Sequence, residues 1–131
     1  MKCLDSDLLV AILRGKPDAK SKMDELDAEG RNATTSINTF EILYGAHHSS
    51  KKKKNIEEAR RLLGRLDVIS LDIESANLAA MIAADLSAKG EPIDFRDILV
   101  AGIALTNGLD LVTKNSNHFS RIGKLRLESW G

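Results

Sequence analysis

The sequence is poor in aromatics: three Phe, one Tyr and one Trp make up 4% of 131 residues. So few rings exclude a stacking platform for single-stranded bases as the main device. Cysteine is nearly absent. Cys3 stands alone, so no internal disulfide forms, and no Cys/His pattern has zinc-ligand spacing. Within an apolar first strand, Cys3 reads as a small buried residue rather than a nucleophile. Excess charge is also missing. Nineteen basic and nineteen acidic side chains balance to a formal net charge of zero. A general polyanion binder carries a basic excess, so any contact with nucleic acid must come from local patches. Zero net charge also removes one guard against self-association. No apolar run approaches the length of a membrane span. Lys2 and Asp5 interrupt the N-terminal apolar residues, which argues against a secretory signal. A cytoplasmic protein is the expectation.

What remains is ordinary for a globular domain. Hydrophobic residues make up 43% and charged residues 29%. Residues 1–131 are expected to form one domain, with no repeat, low-complexity tract or linker dividing them. The apolar run at the N-terminus breaks at Asp5-Ser6-Asp7 and resumes at Leu8. This predicts a first strand whose carboxyl end delivers an aspartate, with a helix capped by Asp7 or Ser6 following at once and stopped by Gly15. Pro17 suits the first turn of a second helix ending near Gly30. Residues 33–36 read as a second strand and 38–44 as a helix carrying Phe40, Leu43 and Tyr44. Residues 49–55, with four consecutive lysines, read as a polar connection before a helix over 56–66. Residues 68–71 read as a third strand, and Asp72 caps an Ala-rich helix over 73–89. Asp94 begins a nearly apolar, buried helix closed by Gly108. Residues 109–113 and 125–127 read as a fourth strand and a fifth, edge-like one. Strands alternating with helices predict an α/β fold with a short, mainly parallel sheet of about five strands.

Three helix starts or strand ends supply an acid: Asp5, Glu41 and Asp97, with Asp94 one turn before the last. Such positions share one rim of an α/β sheet, where ligands bind. Carboxylates gathered there without matching Lys or Arg would repel one another unless a divalent cation sat between them. Hard oxygen donors suit Mg²⁺, with Mn²⁺ as a substitute, and such an ion supports phosphodiester hydrolysis. Structural readings stand beside this one. Asp5 and Asp7 both suit a cap, the better division being Asp7 as cap and Asp5 as ligand. Asn38-x-x-Glu41 fits a capping box, and Asp94-x-x-Asp97 suits the positive end of a helix dipole. Three acids at three helix starts exceed what capping needs.

LDSDLL at 4–9, TFEILYGA at 39–46, IDFRDILVAGIAL at 93–105 and LVTKNSNHFSRI at 111–122 together resemble the PIN-domain family. The closer likeness is to its VapC-like toxins. The resemblance runs over nearly the whole chain, in order and spacing. It implies a three-layer α/β/α fold and a metal-dependent endoribonuclease, the toxin of a type II toxin–antitoxin pair. It further implies a dimer held inactive by a small antitoxin protein, with RNA as substrate. Asp5, Glu41 and Asp97 match the family's first three acidic ligands. The fourth acidic position is matched by Asn115, a departure that brings no charge; Asp94 is a candidate to supply it. A hydroxyl at Ser6 or Thr113 suits a supporting role at the site, with Ser36 near the same rim.

Among the remaining polar residues, Lys51 to Lys54 read as a solvated surface. Arg14, Arg96, Lys114 and Arg121 lie nearer the rim and are candidates for phosphate contacts. His47, His48 and His118 read as surface or packing residues, since none has a partner at ligand spacing. Trp130 reads as a cover over the core edge. The apolar sides of 9–13 and 40–44 suit an antitoxin helix or a twin subunit. Two rival functions differ in kind. One is a haloacid-dehalogenase-like phosphatase, with Asp5 as nucleophile and Asp7 as acid/base. The other is a catalytically inactive RNA- or partner-binding module, motivated by Asn115.

Overall fold

The computed structural model describes residues 1–131. The strands are β1 (Cys3–Leu4), β2 (Ala33–Thr35), β3 (Asp67–Ile69), β4 (Leu111–Val112) and β5 (Leu127–Glu128). The helices are α1 (Ser6–Leu13), α2 (Pro17–Glu29), α3 (Ser36–His47), α4 (Lys52–Leu63), α5 (Ile73–Ala88), α6 (Phe95–Thr106) and α7 (Ser116–Phe119). The five strands form one sheet in the order β3-β2-β1-β4-β5, and every pairing is parallel. The expected α/β class, strand number and edge position of β5 therefore hold.

Side-chain alternation builds three layers. Cys3 and Leu111 face one core, with Leu86, Val100, Ala101, Ala104 and Phe119. Their neighbours Leu4 and Val112 face the other, with Leu8, Leu9, Met23, Leu26, Ile42, Leu62 and Trp130. Successive strand residues point to opposite faces, so a two-residue strand feeds both cores and needs helices on both sides. Cys3 is fully buried, and burial pushes its thiol up to about 12, as an inert packing residue requires.

Local chemistry shifts several boundaries from the sequence-based expectations. Lys52, Lys53 and Lys54 begin α4 rather than a connection, yet remain exposed. Ser36 opens α3 instead of ending β2, and its Oγ accepts from the Leu71 backbone N–H at 3.2 Å, away from the site rim. The Asn38/Glu41 capping box does not form, because Thr35 is the cap and accepts from the Asn38 N–H at 3.0 Å. Asp72 does cap α5, in a reciprocal box with Ser75.

Helix α6 crosses α5 closely at Gly102. A Cβ at Gly102 would lie 2.8 Å from the Ser75 carbonyl oxygen and 2.9 Å from the Ala79 Cβ. Even Gly102→Ala therefore forces the helices apart and is expected to cost about 1–3 kcal/mol. Urea denaturation checks this: the midpoint falls while the slope holds. An unchanged midpoint would show that the helix pair has slack.

Candidate active site

Strand order reverses about β1. The chain moves from β1 to β2 and β3 on one side, then returns to lay β4 against the other. In such sheets the crevice beyond the strand ends at the reversal is the ligand site. β1 runs directly into Asp5, β4 into Thr113 and β2 into α3, so three elements deliver side chains to one place.

Asp5 is 2% exposed. Its Oδ1 accepts from the Ser6 N–H and from Asn38 Nδ2, both at 2.9 Å. Its Oδ2 lies 2.8 Å from the Thr113 hydroxyl. Asp5, not Asp7, is thus the N-cap of α1, and it caps while presenting its carboxylate to the crevice. The preferred division, with Asp7 as the cap, is corrected here. Asp7 lies in the first turn of α1, two residues after Asp5, and lines the same groove, but its oxygens are taken up by other partners. It accepts from the Trp130 indole N–H at 3.0 Å and the Lys114 backbone N–H at 2.9 Å. It also lies 3.0 Å from the Thr113 hydroxyl. An acid so occupied is a tie for the C-terminal segment, not a free proton donor, which removes the phosphatase reading. Trp130 itself is buried at the core edge, with Lys114 Nζ 4.1 Å above its ring.

Glu41 comes from the second turn of α3. Its Oε1 accepts from the Ser6 hydroxyl at 3.0 Å. Asp97, 4% exposed, comes from the first turn of α6. Its Oδ2 lies 3.4 Å from Asn115 Nδ2 and 3.2 Å from His118 Nδ1. Asn115 thus reaches the site as an amide donor to Asp97, brings no charge, and is tied by its backbone N–H to Thr113 Oγ1 at 3.0 Å. Asp94 does not join the carboxylates. It is exposed, caps α6 by accepting from the Arg96 N–H at 3.3 Å, and lines the outer wall.

Two residues at the site depart from the sequence reading. The carboxylates do have a matching cation. The Arg96 guanidinium donates to Asp5, Ser6, Glu41 and Asp97 at 2.5–2.8 Å. Burial opposes its charge, but Asp5, Asp97 and Glu41 outweigh this and hold its pKa above the ordinary value. The second is His118, read as a surface or packing residue. It stands one helical turn after Asn115 on α7, a four-residue helix beginning just beyond β4. The i,i+3 spacing of Asn115 and His118 was the available signal, but only if a helix were assigned there.

The carboxylates lie at the base of a groove of about 830 Å³ whose wall includes Arg14, Lys16 and Lys114. These three are exposed, as phosphate-binding side chains need to be. Arg121 is not part of the wall; it bonds the Pro92 carbonyl. His47 and His48 are exposed at the end of α3, His48 stacking on Tyr44 at 5.6 Å between ring centres.

In chemical type these donors suit a divalent cation, but as they stand around the Arg96 guanidinium they form no ready cluster to hold one. Two of the three carboxylates are nearly fully buried, and buried charges need compensation. One guanidinium balances one charge of three. The donors are all carboxylate oxygens, the type that hard cations select.

The sequence matches the family model described as PIN domain over residues 2–125. A tRNA(fMet)-specific endonuclease VapC of Shigella flexneri is 31% identical over 127 residues, 97% of this chain and 96% of the relative. Ribonuclease VapC2 of Rickettsia felis is 32% identical, over 97% of this chain and 96% of the relative. Among solved structures, DNA-bound VapBC from Salmonella typhimurium superposes with a TM-score of 0.90 at 31% identity, covering 100% of both chains. A fold that superposes over its whole length, a family model over nearly its full length and relatives aligned end to end lead to one assignment: the chain belongs to the PIN-domain family, in its VapC-like branch.

Proposed function

We propose that this protein is a divalent-cation-dependent endoribonuclease and the toxin of a toxin–antitoxin pair. The observation that carries the reading is the convergence of Asp5, Glu41 and Asp97 in a groove whose wall offers Arg14, Lys16 and Lys114. Asp5, Glu41 and Asp97 would hold Mg²⁺ or Mn²⁺, which supplies activation of the attacking water and neutralises charge on the leaving oxygen. The rest is the work of the chain's own residues. Arg14, Lys16 and Lys114 bind RNA phosphates along the groove and set the strand's register. Ser6, Asn38 and Thr113 lock the carboxylate rotamers through the hydrogen bonds described, a preorganisation that costs nothing at the moment of reaction. Asn115 and His118 hold Asp97 from its other oxygen. No side-chain nucleophile is needed, and the Ser6 hydroxyl is already engaged between Glu41 and Arg96.

The Shigella relative's name makes initiator tRNA the first substrate to try. A second groove, of about 290 Å³, is lined by Val10, Leu13, Ile42, Gly45 and Ala46 from α1 and α3, with Glu58 from α4. Its apolar floor suits a segment of the antitoxin, and the Salmonella relative was solved as a VapBC assembly. Phe40 and Tyr44, exposed and stacked 5.9 Å apart on α3, suit contact with a second copy in a homodimer. The toxin reading is tested by induced expression in a bacterial host, with RNA ends mapped by sequencing. Growth arrest with discrete new ends is expected, both relieved by co-expression of a cognate antitoxin. Arrest without new RNA ends would contradict it and favour the inactive binding module.

Asp7→Ala separates this function from its phosphatase rival. It strands the part-buried Trp130 indole N–H, at about 1–3 kcal/mol, while the exposed Lys114 N–H turns to water, so the melting temperature falls. RNA cleavage below the melting transition persists. Loss of cleavage by the folded variant would return Asp7 to the chemistry.

A further inference from the structure

Arg96 has no part in the function just proposed, yet with four side-chain hydrogen bonds it is as heavily bonded as Asp5. It follows Phe95 on the first turn of α6, and its side chain is 23% exposed. Its Nε donates to Glu41, Nη1 to Asp97, and Nη2 to both Asp5 and Ser6. The guanidinium therefore occupies the centre that the three carboxylates would offer a cation. Both cannot sit there together, because like charges at contact distance in a partly buried site repel strongly. The same side chain stands at the groove, beside the wall along which RNA phosphates would run. Its planar fork matches the oxygens of a phosphate as well as those of a carboxylate.

We propose that Arg96 is a resident counter-ion that changes partners. In the cation-free protein it holds Asp5, Glu41 and Asp97 together. When a divalent cation enters, the guanidinium leaves the carboxylates and binds a phosphate of the RNA in the groove. This inference rests on the cation-dependent reading above. Two consequences follow from the exchange. Arg96 lowers cation affinity in the absence of RNA. Bound RNA, by taking up the guanidinium, raises that affinity, and by linkage the cation raises RNA affinity by the same factor. The protein then assembles its full site only when substrate is present.

The test measures Mn²⁺ binding by the amplitude of the free-ion electron paramagnetic resonance signal, with wild type, Arg96→Gln, Arg96→Lys and Asp5→Asn compared. Arg96→Gln is expected to bind Mn²⁺ about ten-fold or more tightly than wild type, within the usual span of coupling between competing groups. Without cation it should melt below wild type, and Mn²⁺ should raise its melting temperature by more. At saturating Mn²⁺ its KM for RNA should rise more than its kcat falls. Arg96→Lys keeps the charge without the fork, so it retains weak cation binding while losing RNA affinity. If Arg96→Gln binds Mn²⁺ no more tightly than wild type, Arg96 is a permanent clamp and the exchange is overturned, while the cation reading stands. If Arg96→Gln does not fold, Arg96→Lys decides: a KM equal to wild type overturns the exchange. If no folded form binds Mn²⁺, both the exchange and the cation reading fall.

Discussion

Asp5→Asn is expected to reduce RNA cleavage by about 10²–10³-fold, the scale of losing a group that stabilises charge in a transition state. The protein should fold as before. The reason lies in how Asp5 is bonded. An asparagine carbonyl oxygen in place of Oδ1 still accepts from the Ser6 N–H and Asn38 Nδ2, so the helix cap survives. The new amide group then faces the Thr113 hydroxyl, which rotates to accept from it and donates instead to Asp7 Oδ2. Every buried polar group keeps a partner, and one buried negative charge disappears. Far-ultraviolet circular dichroism and a melting curve within a few degrees of wild type, beside lost cleavage, are the expected pair of results. Substantial cleavage by Asp5→Asn would remove Asp5 from the chemistry.

The second large effect is structural and reaches the site from behind. Phe119 is fully buried and packs in the core with Val100, Ala101, Ala104, Leu111 and Leu125. It is the only buried residue of α7, the helix that carries His118 and follows Asn115. Phe119→Ala removes the ring and leaves a cavity, at a cost of about 3–5 kcal/mol. That is a large fraction of the roughly 5–15 kcal/mol that stabilises a domain. It also unmoors α7, so His118 and Asn115 lose their place against Asp97 Oδ2. Denaturant midpoints should fall sharply, and cleavage should drop even under conditions where the variant stays folded. Phe119→Leu, which keeps most of the apolar volume, should recover much of both. A variant with lowered stability but full cleavage would show that α7 does not support Asp97.

The sequence made the alternation of strands and helices legible because apolar periodicity and helix caps are local signals. It also made Asp5, Glu41 and Asp97 legible as a group: Asp5 and Asp97 stand where an element ends or begins, while Glu41 reads as a helix start only because Asn38 suggests a later start for α3 than the true one at Ser36. Cap identity was harder to read. Asp5, Ser6 and Asp7 are all good caps, and the choice depends on where β1 stops, which is set by its pairing with β4. Asn38 looked like a cap for the same reason, but Thr35 takes that role and frees Asn38 to reach Asp5. Helix α7 is four residues long with no side-chain cap, too short for any period to register. His118 therefore reads from the sequence as a surface or packing residue. Arg96 was recognised as lying near the rim but not as the counter-ion of the cluster. Its partners lie 55 residues away at Glu41 and 91 at Asp5, and only the folded sheet brings them together.

RNA cleavage at Asp5, Glu41 and Asp97 should depend on a divalent cation. This dependence is tested most directly by incubating purified, partner-free protein with total cellular RNA in Mg²⁺ or Mn²⁺. EDTA and Asp5→Asn are run in parallel. The account predicts cuts at a few discrete positions with either cation, and none with EDTA or with the variant. Equal cutting in EDTA, or none by well-folded wild type in either cation, would contradict it.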